Sequence, residues 1–179
     1  LILVQMPALT IWLGIGSLVL VATYPAMKRI TWWPQAFLGL TFNFGVPMGW
    51  SAVTGGALSF AAFLMYLGAI FWTLGYDTIY AHQDKADDQM VGIKSTALLF
   101  GDRSKKWVGI FYALSWGLIC LSAFITTDSI LVLGLLVLAG VHMLFQVLLW
   151  KPDDPASSLR WFKSNRDCGF LFLLAFLCA

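Results

Sequence analysis

The chain has 179 residues, 60% of them apolar, a mean hydropathy of +0.82 and only 11% charged residues. A soluble domain carries about a quarter charged residues, so this composition excludes a soluble enzyme, a disordered chain and a nucleic-acid binder. The net charge of +2, from eleven Lys and Arg against nine Asp and no Glu, is too small and too dispersed for a polyanion-binding surface.

A helix crossing the hydrocarbon of a bilayer needs about 20 mostly apolar residues. Six segments qualify: 1–23, 36–53, 58–82, 105–126, 129–150 and 161–179. None alternates with period two, which favours helices over barrel strands. The expected fold is an all-α polytopic transmembrane bundle, a single domain over 1–179. The opening LILVQMPALTIW has no initiator Met, basic n-region or small-residue cleavage site, so it is not a signal peptide. Because the sequence starts and stops inside apolar runs, it is expected to be an internal piece of a longer protein.

At the end of the first segment, Tyr24 and Lys28 lie four apart, which sets phenol and ammonium side by side on a helix. On their own they would serve as an interface anchor and a positive-inside residue. The second segment is interrupted by Asn43, Gly45, Pro47 and Gly49. Pro47 is expected to kink it by removing the bond to the Asn43 carbonyl. Asn43 then either satisfies that kink or lines a pocket, and Gly45 and Gly49 form a GxxxG pair suited to close helix approach. In the fifth segment, His142 and Gln146 are expected to hydrogen-bond between helices. Cys120, Cys168 and Cys178 lack CxxC spacing and read as packing residues.

All eleven basic residues fall in or beside the loops after segments one, three and five, and none in the loops after two and four. Those three loops share one face of the membrane, which the positive-inside rule makes cytoplasmic, or the matrix in a mitochondrion. Eight of the nine Asp lie on or near that face, Asp128 being the exception.

The informative stretch runs from Tyr76 to Thr96. If the helix persists, Asp77, Tyr80, Asp84 and Asp88 share one face. Asp84 and Asp88 would then be neighbours, with Asp87 adding a third charge. Such a cluster is stable when a cation neutralises it or a proton stays on one oxygen. Hard oxygen donors in small number suit Mg²⁺, which binds one or two carboxylates and completes its shell with water and phosphate oxygens. The alternative is a solvated interfacial loop balanced by Lys85 and Lys94. Asp77, further into the apolar span, argues against it, because an intramembrane carboxylate is expensive and usually functional. Gly92-Ile93-Lys94-Ser95-Thr96 follows, joining a turn residue, a cation and two hydroxyls. His82 sits beside the acids as a candidate to support them.

The run Tyr76-Asp77-x-x-Tyr80-Ala81-x-x-Asp84-x-x-Asp87-Asp88-x-x-x-Gly92-x-Lys94-Ser95-Thr96-Ala97 resembles the second aspartate-rich motif of the UbiA superfamily of intramembrane prenyltransferases. It is most similar to the branch acting on 4-hydroxybenzoate in ubiquinone biosynthesis. Tyr24-x-x-x-Lys28 resembles the family's YxxxK element, Asn43–Trp50 its kinked helix, and Phe162-x-x-Asn165 also fits. The resemblance covers about residue 15 onward and implies that the six spans match helices four to nine of a nine-helix prenyltransferase. It implies transfer of a polyprenyl group from polyprenyl diphosphate to the ring carbon ortho to the acceptor hydroxyl. Asp84 and Asp88, with Asp87 assisting, would hold Mg²⁺. Lys28, Lys94 and Tyr24 would bind diphosphate, Asp77 would act on the acceptor hydroxyl, and Tyr80, His82 and Asn43 would support the pocket.

The partners implied are the diphosphate donor, an aromatic acid and the lipid bilayer, and no nucleic acid. The membrane implied is the bacterial inner membrane, with the mitochondrial inner membrane as the alternative. No Asp precedes Asp77, so the family's first aspartate-rich motif is absent and the isolated segment is expected to be inactive. The menaquinone, haem and chlorophyll branches are the competing readings. A cation or proton transporter is a distant one, since the acids cluster at an interface and no inverted repeat is visible.

Overall fold

Why the chain folds into helices, and where they stop, follows from local signals that the computed structural model, which describes residues 2–178, makes explicit. Helix α1 spans Ala8–Ile30, running through Pro25 and ending where the Thr31 N–H reaches the Met27 carbonyl. The segment expected at 1–23 therefore extends a further turn and a half past the proline, and its last turn carries Lys28 and Arg29, where basic side chains complement the helix dipole. The second segment is not one kinked helix but two short ones, α2 (Pro34–Phe42) and α3 (Gly45–Val53). The break falls at Asn43 and Phe44, before Pro47. The Asn43 carbonyl accepts from the Val46 N–H at 2.9 Å, and Pro47 is the third residue of α3, where a missing N–H costs little. Gly45 and Gly49 face open space and mediate no close approach, contrary to the GxxxG expectation.

Helix α4 (Phe60–Ala81) is capped by Ser59, whose hydroxyl accepts the Ala62 N–H, and is followed by the short α5 (Lys85–Val91) and α6 (Thr96–Phe100). Ser104–Thr126 forms α7, Ile130–Leu149 α8 and Pro155–Leu177 α9. The last segment begins six residues earlier than 161, because Asp154 caps the Ala156 N–H and Pro155 occupies the first helical position. No strand occurs among the described residues. Four stretches are long and apolar enough to cross a membrane: Ala8–Ile30, Phe60–Ala81, Thr96–Thr126 and Ile130–Leu149. The protein is thus an all-α helical membrane bundle. The other two expected spans differ from that simple form, α2–α3 by their break and α9 by its polar first half.

The surface and interior are inverted relative to a soluble protein. Trp12, Leu18, Phe124, Leu138 and Phe145 point outward, while Ala61, Ala62, Thr73, Ser122 and Ala139 are buried. Small residues inside let helices approach where hydrocarbon outside gives no drive for large ones to bury. Helices α4 and α7 use this most, since a Cβ on Gly75 would collide with the Tyr112 ring.

A polar knot joins α4, α7, α8 and α9 at the centre of the bundle. The Tyr112 hydroxyl donates to Gln146 Oε1 at 2.7 Å, Asn165 Nδ2 to the same oxygen at 2.9 Å, and Trp72 Nε1 to Asn165 Oδ1 at 2.9 Å. Gln146 therefore bonds between helices as expected, and His142 Nε2 likewise meets the Ser164 carbonyl at 3.1 Å. The cysteines are free.

Candidate functional site

One end of the bundle collects the charged connections. Lys94 N donates to the Lys28 carbonyl at 2.9 Å, the Lys105 ammonium to the Leu148 and Trp150 carbonyls at 2.9 and 3.1 Å, and His82 Nδ1 meets the Pro152 carbonyl at 3.1 Å. The three basic loops thus lie together, as the sequence predicts for loops on one membrane face.

A polar cavity of about 110 Å³ opens among them. Tyr24 and Lys28 of α1 form one side, Asp77 and Tyr80 of α4 another, and Asp84 and Asp88 of the α5 region a third. Lys94, Ser95 and Gln35 complete it. Seven of the ten sequence-predicted residues therefore meet in one place. A larger groove of about 400 Å³ lies between α7 and α8, but it is apolar, and its Tyr112 and Trp116 polar atoms are already hydrogen-bonded.

The convergence is enforced by a node at Thr96. Its N–H donates to Gln35 Oε1 at 3.0 Å, and its hydroxyl bonds that of Thr78 at 2.7 Å. Helices α2 and α4 are thereby tied to the loop carrying Lys94. Gly92 ends α5 in the left-handed region, φ 70°, where a side chain is disfavoured, and both its N–H and that of Ile93 fold back toward Asp88. Of the two hydroxyls in the Gly92–Thr96 stretch, that of Thr96 is fully buried against Thr78, while that of Ser95 accepts the Leu98 N–H and belongs to a residue of the cavity lining.

The helix does not persist through the acidic run. Helix α4 stops at Ala81, the Gln83 N–H closes a tight turn on the Tyr80 carbonyl, and α5 restarts with Asp84 at its N-cap. Asp84 and Asp88 remain one turn apart, joined by the Asp88 N–H to Asp84 carbonyl bond of 2.8 Å, and both still face the cavity. Asp87 does not. It is exposed, lies outside the cavity lining, and is corrected from an assisting metal ligand to a surface carboxylate. No group of three or more His, Cys or Asp among the described residues is arranged to hold a metal, so the expected three-carboxylate site is not preassembled.

Two other expectations are also corrected. His82 turns away from the acids into the α8–α9 junction, edge-on to Trp150 with ring centroids 5.0 Å apart. Asn43 is outside the cavity lining and donates to the Gly39 carbonyl at 2.8 Å and to Thr73 Oγ1 at 2.7 Å. Of its two expected roles, it takes the structural one.

The electrostatics leave the cavity groups unspent. The carboxylates of Asp77, Asp84 and Asp88 have no hydrogen-bond or ion-pair partner among the described residues, where the one ion pair is the exposed Arg166–Asp167 contact of 2.9 Å. Burial pushes the Asp88 carboxyl above its ordinary value; Lys28 pulls it back, while Asp84 and Asp87 push it further up. A cation in the cavity would relieve that cost. Two carboxylates with open space before them fit a divalent ion that keeps several positions for water or phosphate oxygens. Lys94 donates to the Ile30 carbonyl at 3.1 Å and sits 5.7 Å over the Trp32 ring, which holds its ammonium at the rim. Tyr80 packs on Phe162, centroids 4.6 Å apart, and continues into Tyr76 and Trp72 as an aromatic wall.

His82 carries a pH consequence. Burial pushes its imidazole down from 6.5 to about 4, with Lys85 adding to the shift and the Pro152 carbonyl and Asp153 opposing it. The unfolded chain binds a proton near 6.5 while the folded one resists until about 4. This group's contribution is therefore intact above 6.5 and is lost as the pH falls toward 4. In detergent, the melting temperature should fall over that window, and His82→Gln should remove part of the slope. Equal slopes would place the imidazole in water.

The family model described as UbiA prenyltransferase family matches residues 1–176. A Bos taurus protein named 4-hydroxybenzoate polyprenyltransferase, mitochondrial, is 44% identical over 92% of this chain and 44% of its own length. Proteins of the same name from Drosophila melanogaster and Arabidopsis thaliana are 40% identical over 97% of this chain and 54% identical over 69%, covering 44% and 30% of their own lengths. The chain thus spans less than half the length of these curated relatives. No solved structure matches.

Proposed function

The chain belongs to the UbiA prenyltransferase family, and from that membership we propose that it forms part of a 4-hydroxybenzoate polyprenyltransferase of ubiquinone biosynthesis. The observation that carries this reading is the cavity at the charged end of the bundle, where three unpaired carboxylates and two lysines face one space. The names of the relatives support the acceptor. The word mitochondrial in those names favours a mitochondrial membrane over the bacterial one, and the distribution of basic residues would put the cavity on the matrix side.

In this proposal Asp84 and Asp88 hold the divalent metal on which members of the family generally depend, Mg²⁺ by the hardness of the donor set. When bound, that ion supplies charge stabilisation to a departing diphosphate. Lys28 and Lys94 add positive charge where the allylic C–O bond breaks and negative charge grows on the leaving oxygen. Tyr24 donates a hydrogen bond to the same group. Asp77, deeper along α4, accepts a hydrogen bond or proton from the acceptor hydroxyl and makes the ring more electron-rich at its ortho carbon. That carbon attacks the prenyl carbon, a C–C bond forms, and the ring proton then leaves. Tyr80, which lines the cavity with its ring packed on Phe162, would help keep water from the electron-poor prenyl carbon.

The test is prenyl transfer to 4-hydroxybenzoate by the protein at its full natural length, with the naphthoate acceptor of menaquinone synthesis and haem as competitors. A prenylated hydroxybenzoate as the main product is expected; preference for another acceptor would move the protein to another branch. The 179-residue segment alone should show no turnover. Asp77→Asn should lower kcat by about a hundredfold with the donor KM unchanged, the size of a general acid–base contribution. A change confined to the donor KM would instead place Asp77 at the diphosphate.

A further inference from the structure

One residue of the cavity has no role in the mechanism above. Gln35, the second residue of α2, is 4% exposed, yet it lines the same space as Lys28, Lys94 and the acids. Its Oε1 accepts the Thr96 N–H at 3.0 Å. A backbone N–H can only donate, so that bond settles which end of the amide is oxygen and leaves the NH₂ as the other end. Gln35 Nε2 makes no hydrogen bond among the described residues. It is also not one of the polar atoms sealed without a partner, which are His82 Nε2, Gln83 Oε1 and Ser115 Oγ. The amide nitrogen therefore keeps accessible surface, on a residue that lines the cavity.

An amide NH₂ held in place beside a cavity, with no acceptor on the protein, is left to water or to a ligand. The orientation is fixed twice over, since Thr96 is itself held by Thr78 at 2.7 Å. Next to it, Lys94 N is bound to the Lys28 carbonyl, so the open N–H groups stand on the cationic side of the cavity. Two fixed donors flanked by two ammonium groups match an acceptor that is an anionic oxygen.

We propose that Gln35 is a substrate-binding residue whose side-chain amide donates to an anionic oxygen of a substrate, the diphosphate being favoured by the flanking lysines. The proposal rests on the prenyltransferase reading of the cavity. It adds a neutral, rigidly held donor to the charged groups, on a helix the acidic motif does not include.

Gln35→Glu separates the two halves of the amide. The carboxylate still accepts the Thr96 N–H, so the node survives, but the donor becomes an anion facing an anion. In the protein at its full natural length, Gln35→Glu should raise the KM for polyprenyl diphosphate by about tenfold to a hundredfold, the worth of a hydrogen bond to a charged group. It should weaken binding of inorganic pyrophosphate, measured calorimetrically, by a similar factor. Gln35→Met, which fills the space without donor or charge, should give a smaller rise in the same direction and covers the case in which the glutamate variant fails to fold. If the rise appears in the KM for the aromatic acid, the same N–H groups serve that carboxylate and the proposal stands with the other source. Unchanged KM values for both substrates, with unchanged pyrophosphate affinity, would overturn it and leave Gln35 as a tether for Thr96. If the wild type transfers no prenyl group, the reading of the cavity fails instead, and the pyrophosphate measurement still reports on Gln35.

Discussion

Asp84→Ala, in the protein at its full natural length, is expected to lower kcat/KM for prenyl transfer by about a hundred- to a thousandfold, the scale of losing one preorganised stabiliser of transition-state charge. Asp84 faces the cavity without a partner, one helical turn from Asp88, so its removal breaks the pair that would hold the ion. The loss should come with a weakened response to added Mg²⁺. Asp87→Ala provides the contrast: it removes an exposed carboxylate outside the cavity and should change the rate less than about threefold, in keeping with the small effect of surface charges. Survival of activity in Asp84→Ala with an unaltered Mg²⁺ titration would refute the metal-holding role. Equal losses in both variants would mean that α5 turns differently when substrate is bound.

Gly75→Ala should be the most damaging single methyl in the bundle core. The added Cβ would strike the Tyr112 ring, and that ring cannot retreat because its hydroxyl is pinned to Gln146 at 2.7 Å inside the polar knot. Overpacking of this kind costs about 1–3 kcal/mol, which thermal unfolding in detergent would register as a drop of several degrees. Combining it with Tyr112→Leu should give less than the sum of the two single losses, because the second change removes the obstacle that the first one meets. A neutral Gly75→Ala would mean that α4 and α7 are further apart than described here.

Much of the site was legible because helical spacing is local. Tyr24 with Lys28, and Asp77 with Tyr80, sit where a period of three to four residues puts them. The same rule, carried past Ala81, gave the correct wall for Asp84 and Asp88 although the helix is interrupted, since α5 resumes with those two still one turn apart. The positions of Asp87, His82 and Asn43 lay beyond that rule for a shared reason. Each of their directions is decided by a partner remote in sequence or by where a helix stops: Pro152 for His82, Thr73 for Asn43, the restart at Asp84 for Asp87. Gln35 was passed over because the second apolar segment was taken to begin just after it. Its signal was present, a lone amide following a proline at a helix start, but its meaning depends on a bond to a residue 61 positions away. The spans followed the same pattern. Hydropathy located them, while caps and breaks, such as Asp154 before α9 and Asn43 between α2 and α3, moved their ends.

Thr96 uses both of its polar groups to join strands of the chain made at different times, Gln35 early and Thr78 later. The hollow therefore lacks the wall that carries Lys94 and Ser95 until residue 96 has emerged from the ribosome and met its two older partners. A nascent chain halted upstream of that point would sit in the bilayer with its earlier helices inserted and this side of the hollow open. Closure waits on the docking of a single threonine.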